Sequence, residues 1–321
     1  MRTVVLILVL AACGNNNSEP SDAAKSIDAR PPDALLDAPP PPASAHRFVL
    51  DHERLPSSNN QARAYSLDLN NDGTADNGLG MALASLSSMG FDVQAPLDRA
   101  IDTGTIEILA DIETTDLVTS TQATVALLDG ANALPTPCLD ASDIICRHHL
   151  AGTSTFDVAT TSHDTPLTGA IVTGVLDAGP GALHLRTVVF GAPVDLALIG
   201  ARVRLQQPSD AAIMTGIVAG AITQAEIDTS LIPAIQTGVS AQIALDCSAL
   251  TSPPECGCTT GSGGKSLLVL FDTNQDCVVS NAEIKSNSLI TVLLAPDVSI
   301  NSVQALSFGV QVSAVHAAFT P

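Results

Sequence analysis

The sequence predicts a mainly β protein, an antiparallel β-sandwich or jelly-roll-like body carrying short helices. Three observations lead there. Hydrophobic residues make up 45% of the 321, yet aromatics only 2% and Trp is absent, so Val, Ile, Leu and Thr must fill the core, which favours sheet. β-Branched, partly alternating runs recur from Thr105 onward, separated by Gly, Pro, Asp or Asn. Helical spacing is confined to short stretches near the acidic segments and late in the chain.

The elements follow in order. Met1 and Arg2 precede an apolar run, Thr3–Leu10, and then Leu10-Ala11-Ala12-Cys13. This resembles the lipobox of bacterial lipoproteins. The resemblance implies a signal peptide over 1–12, cut before Cys13, and acylation of Cys13 as a membrane anchor. Gly14 rather than Asp after the cysteine implies the outer membrane in preference to the inner. The alternative is a plain secretory signal; the run is too short to span a bilayer, which needs about 20 residues. Residues 13–45 read as a disordered tether, with Asp-Ala recurring at Asp22, Asp28, Asp33 and Asp37 and a stiff polyproline stretch at Pro39–Pro42.

Residues 46–321 read as the folded domain. Strands are expected at Phe48–Glu53, Thr105–Ile112, Thr121–Leu128, Thr153–Val158, Leu167–Leu176, Ala182–Phe190, Val194–Gln206, Ile213–Ile222 and Val303–Phe319. Pro208-Ser209-Asp210 reads as a hairpin turn. Leu79, Ala82, Leu83 and Leu86 share one helical face, and Val93, Leu97 and Ile101 another. Thr223 and Glu226 form a capping box before the stripe Ile227, Leu231, Ile235, Val239, which Pro233 should kink or split. Ala282–Leu294 reads as one helix with Ile284, Leu289, Val292 and Leu293 inward.

Two acidic loops carry the chemistry. In 272–283, Asp272, Asn274 and Asp276 stand at positions 1, 3 and 5 of a twelve-residue loop, the Val278 carbonyl at 7, Ser280 at 9 and Glu283 at 12. Oxygen donors at this spacing converge on a hard cation, and a glutamate at 12 closes the shell; the loop is EF-hand-like and calls for Ca2+. Ser280 and Glu283 also read as a capping box that starts a helix. Position 6, ordinarily Gly, is Cys277, so either the affinity falls or a disulfide holds the turn. In 68–79, Asp68, Asn70 and Asp72 repeat the spacing, Gly73 stands at 6 and Asp76 at 9, but position 12 is Leu79, which cannot ligate. This loop resembles those of thrombospondin type 3 repeats and dockerins, with Asp76 closing the site. The bland alternative is a surface turn, since Asn-Asp-Gly is itself a turn signal.

Six cysteines besides Cys13 read as three disulfides in an exported chain. Cys138–Cys146 is the local pair; Cys247–Cys256 and Cys258–Cys277 are favoured for the rest, the last pinning position 6. The rival is a soft-metal cluster using Cys256, Cys258, Cys146, His148 and His149, although Cys-x-Cys lacks the usual two-residue gap.

The net charge of −20, from 33 acidic and 13 basic residues, argues against a nucleic-acid partner. Gly261–Ser266 echoes the end of a phosphate loop, but Thr259 stands where its first Gly should be. There is no G-x-S-x-G or H-E-x-x-H, and no catalytic residue is nominated.

The lipobox, the Asp/Ala/Pro tether, the two loops, Leu293-Leu-Ala-Pro-Asp297-Val298 and the closing strand together resemble surface lipoproteins of delta-proteobacterial type. That implies a lipid-anchored cell-surface protein in the bacterial envelope, with calcium stabilising the fold and a structural or partner-binding role toward a protein or glycan. The alternative function is a secreted-type hydrolase or carbohydrate-binding β-sandwich, against which the scarcity of aromatics counts.

Overall fold

The computed structural model describes residues 42–88, 91–160, 164–248, 252–253 and 255–320. The expected signal peptide, Cys13 and the tether as far as Pro41 lie outside the described residues. The described body contains ten strands: β1 (Ser44–Arg54), β2 (Ile108–Thr114), β3 (Ser120–Leu134), β4 (Ser154–Val158), β5 (Leu167–Val172), β6 (Val175–Val189), β7 (Ala192–Gln206), β8 (Ala212–Thr223), β9 (Val298–Ile300) and β10 (Val303–Ala318).

Eight of them close a barrel, not the expected sandwich or jelly roll. The antiparallel ring runs β1-β2-β3-β5-β6-β7-β8-β10 and returns to β1. β4 joins β3 antiparallel and β10 in parallel, and β9 pairs with β10. The physical reason lies in length and irregularity. β6, β7 and β10 run 15, 15 and 16 residues, and the pairing slips at Leu50/His52, Ala178/Gly181, Ile199/Arg202 and Val312/Ala314. Bulges of this kind bend and twist long strands until the outer two meet. β1 then pairs with β2 on one side and β10 on the other, so neither is left as a bare edge.

Cross-strand register defines the lumen. Leu185 faces Leu196, Leu183 faces Leu198, Leu198 faces Ile222 and Ile222 faces Leu306, all buried. An eight-stranded barrel is just wide enough for side chains to fill, and here aliphatics with Phe308 fill it. A charged residue shares the interior: Glu53, opposite Val312, is 0% exposed. Burial pushes its carboxyl up to about 8, outweighing the Thr187 hydroxyl that pulls it down.

The helices are α1 (Asn59–Ala64), α2 (Gly78–Ser88), α3 (Ala95–Asp102), α4 (Gln224–Glu226), α5 (Ile232–Asp246), α6 (Gly263–Phe271), α7 (Asn281–Ser286) and α8 (Ser288–Leu293). α5 packs so tightly on the β6–β7 turn that a Cβ on Gly238 would lie 2.0 Å from the Phe190 carbonyl oxygen. Pro233 follows directly on a π-helical turn, Ile227–Leu231, that separates α4 from α5; Leu231 and Ile232 stay helical, and the Ile232 N–H reaches back to the Ile227 carbonyl, so the expected stripe is split by a wider turn just before the proline.

Two further expectations are corrected. Leu167–Leu176 is not one strand but the β5–β6 hairpin, turned by Thr173 (φ 50°) and Gly174 (φ 76°). Ala282–Leu294 is two helices. Asn287 leaves the helical region and accepts from the N–H groups of Leu289 and Ile290, so its side chain caps α8 and resets the face. Ile290 is buried in consequence, and Val292, expected inward, is 73% exposed.

Candidate functional site: two acidic loops

The first loop lies on the outer wall of the barrel. Leu67 and Leu69 pack with Ala219, Ala221, Val298, Ile300 and Ala305 in a small cluster separate from the lumen. Asn77, 6% exposed, fixes the loop to β10: its Nδ2 donates to the Gly309 carbonyl at 2.9 Å and its Oδ1 accepts the Gly309 N–H at 3.0 Å. Gly309 must be Gly, because a Cβ there would meet the Tyr65 carbonyl oxygen at 2.2 Å.

The second loop lies between α6 and α7, against α5. Gln236 of α5 donates to the Val279 carbonyl at 3.0 Å, and Val279 is buried. The disulfide Cys256–Cys277 ties it to the segment after α5, which Cys247–Cys258 closes on itself. The favoured pairing of these four cysteines is therefore corrected. Cys247 and Cys258 form an antiparallel bridge and stand side by side, which leaves Cys256 to reach Cys277. Cys138–Cys146 closes its own short loop. With all six in disulfides, no thiolate remains for a zinc or copper cluster.

The two loops share one hydrogen-bond frame. In the first, Asp72 N–H donates to Asp68 Oδ1 (3.2 Å) and Asn70 Oδ1 (3.0 Å), Gly73 N–H to Asp68 Oδ2 (2.9 Å), and Thr74 N–H to Asp72 Oδ1 (2.7 Å). In the second, Asp276 N–H donates to Asp272 Oδ1 (3.1 Å) and Asn274 Oδ1 (3.0 Å), Cys277 N–H to Asp272 Oδ2 (2.9 Å), and Val278 N–H to Asp276 Oδ1 (2.9 Å). Even the Asn Nδ2 to Asp Oδ2 contact recurs, at 3.0 Å in both. Positions 4 and 6 turn left-handed alike: Asn71 (φ 63°) and Gly73 (φ 87°), Gln275 (φ 60°) and Cys277 (φ 71°). Position 4 was not singled out in the sequence; Asn there was the available signal.

The closing carboxylates also correspond. Asp76 Oδ2 accepts the Leu69 N–H at 3.1 Å and Glu283 Oε1 the Thr273 N–H at 3.0 Å, each from position 2. Their surroundings differ. Burial pushes the Asp76 carboxyl up, the Leu69 N–H pulls it down, and the charges of Asp72, Asp297 and Asp68 push it up again. Asp297, named in the sequence only within the Leu293–Val298 segment and not as a site residue, arrives from beyond α8 and accepts from the Ser307 N–H (2.7 Å) and hydroxyl (2.5 Å). Glu283 is held below the usual carboxylate range, first by the Ser280 N–H, with the Ser280 hydroxyl, Asn274 N–H and Thr273 hydroxyl adding to it against burial. Five donors reach its two oxygens, more than the about four lone-pair sites of a carboxylate, so here Glu283 serves the capping box of α7 and the start of the loop.

Asp68, Asn70 and Asp72, and likewise Asp272, Asn274 and Asp276, are thus drawn together by backbone N–H groups, with carboxylate lone pairs left over. Such a set would suit a hard, oxygen-seeking cation; in the second loop the Ser280 hydroxyl is engaged with Glu283, donating to its Oε2 at 2.9 Å and accepting its N–H at 3.3 Å. Among the described residues, no three His, Cys, Asp or Glu side chains converge as a ready-made cage, and no helix is long and apolar enough to cross a membrane. Comparison with protein-family models, with curated proteins and with solved structures finds no match to this chain.

Proposed function

We propose that the protein is a lipid-anchored, cell-surface calcium-binding module of the bacterial envelope, in which Ca2+ in the two loops stabilises the fold for a structural or partner-binding role. The observation that carries the calcium reading is the shared frame: two segments with different neighbours and different closing residues hold Asp, Asn and Asp in the same hydrogen bonds. Calcium bound to the folded chain alone adds RT ln(1 + [Ca2+]/Kd), about 2.7 kcal/mol at a hundredfold excess over Kd. The anchor rests on Cys13 and the lipobox.

The test is calcium titration of the whole chain, following the melting temperature, with Asp72→Asn and Asp276→Asn. Asn keeps an oxygen for the Thr74 or Val278 N–H and removes the charge that a cation needs. Glu283→Gln is less informative, because it disturbs the α7 cap as well. Calcium should raise the midpoint, and each variant should lose part of the rise. A midpoint indifferent to millimolar calcium sinks the reading.

A further inference from the structure

The first loop forms one wall of a cleft of about 510 Å³, with Asp68, Asn71 and Gly73 on the loop side and Asp177, Arg202 and Arg204 on the strand side. Arg202 and Arg204 lie two apart on β7 and so face the same way. Arg204 Nε pairs with Asp177 at 2.6 Å, leaving its terminal nitrogens uncommitted to that contact. Arg202 is different. Its Nη2 donates to Asn71 Oδ1 at 2.7 Å, its Nε is shielded from water without an acceptor, and among the described residues no carboxylate lies within ion-pair distance. A half-buried guanidinium that meets only one neutral acceptor still needs a counter-charge. No aromatic side chain lines the cleft, so ring stacking does not define its ligand.

We propose that this cleft binds a carboxylate-bearing ligand between Arg202 and Arg204. Guanidinium groups grip planar carboxylates through paired, charge-assisted hydrogen bonds. Asn71 gives the site its link to the acidic loop, since it stands at position 4, in the left-handed turn between Asn70 and Asp72. A cation that fixes the loop fixes Asn71, and through it the Arg202 guanidinium. This coupling rests on the calcium reading above; the anion site itself does not.

The experiment is calorimetric titration of the whole chain with succinate, and separately with sulfate, in calcium and in EDTA. Arg202→Gln is the test variant, and Arg63→Gln, which removes the same charge from an exposed helix position, is the control. Succinate should bind the wild type and Arg63→Gln alike, about tenfold more weakly to Arg202→Gln, and more tightly in calcium than in EDTA. Equal affinity for wild type and Arg202→Gln, or no succinate binding to the wild type, overturns the site. Sulfate binding as tightly as succinate overturns the carboxylate class. Affinity identical in calcium and EDTA, while calcium raises the melting temperature, overturns the coupling alone. A melting temperature unmoved by calcium overturns the calcium reading and leaves the anion site to the Arg202→Gln comparison.

Discussion

Asn77 and Gly309, 232 positions apart, exchange both of their hydrogen bonds: the Asn77 side chain donates to the Gly309 carbonyl and accepts from its N–H, as a neighbouring strand would. The same Oδ1 accepts the Gly80 N–H at 2.9 Å, so one amide joins the first loop, the start of α2 and β10.

Replacing Asn77 by Ala removes a partner from five backbone groups in a buried junction, the Gly309 and Gly80 N–H groups and the Gly309, Ala62 and Tyr65 carbonyls. The expected loss is about 2–3 kcal/mol, read as a lower urea midpoint. Calcium should also lose part of its stabilising effect, because the first loop would no longer be fastened to the barrel. Equal destabilisation with and without calcium would contradict that link.

Glu53 makes stability fall as pH rises. The unfolded chain releases this proton near 4.5, the ordinary value for a glutamate, whereas the folded chain holds it to about 8. Between those values the unfolded state binds fewer protons, so each step up in pH favours unfolding. The span implies a few kcal/mol at 1.36 kcal/mol per unit. Denaturant titrations at pH 5 and pH 8.5 should show the loss in the wild type and much less of it in Glu53→Gln. Parallel profiles would refute the assignment.

Cys277 occupies a left-handed turn that Gly adopts without penalty. Breaking Cys256–Cys277 with paired Ser substitutions should cost about 2–4 kcal/mol. Cys256→Ser combined with Cys277→Gly should recover about 1 kcal/mol of that and bind calcium more tightly than the Ser pair. Indistinguishable melting curves for the two pairs would show that the backbone there carries no strain.

Asn287→Ala should cost about 1 kcal/mol, through the loss of its acceptor for the Leu289 and Ile290 N–H groups and its donor to the Leu270 carbonyl at 2.8 Å. Restoring a continuous helix would turn Val292 inward, so protection of Val292 from solvent by hydrogen exchange or labelling tells the two packings apart.

Local chemistry was legible in the sequence. The Thr223–Glu226 start, the Ser280–Glu283 capping box and the Asp-x-Asn-x-Asp turns all depend on residues within a dozen positions of each other. The β texture was legible for the same reason. Barrel closure was not, because it turns on the register of β1 against β10, partners from opposite ends of the domain. The cysteine pairing depended on which of two cysteines, separated by one Gly, faced Cys247 in a short bridge. The roles of Asn77, Asn71 and Asp297 were not legible, because their partners Gly309, Arg202 and Ser307 are supplied by the fold.

β10 pairs with β1, β8, β4 and β9, so one strand joins the first of the described strands to those that follow it far along the chain. Until it arrives, β1 and β8 are open edges, and the lumen that shelters Glu53 does not exist. Contacts so distant in sequence make assembly slow. Closure therefore turns on one strand, and a substitution that weakens the pairing of β10 frees the edges of β1 and β8 together.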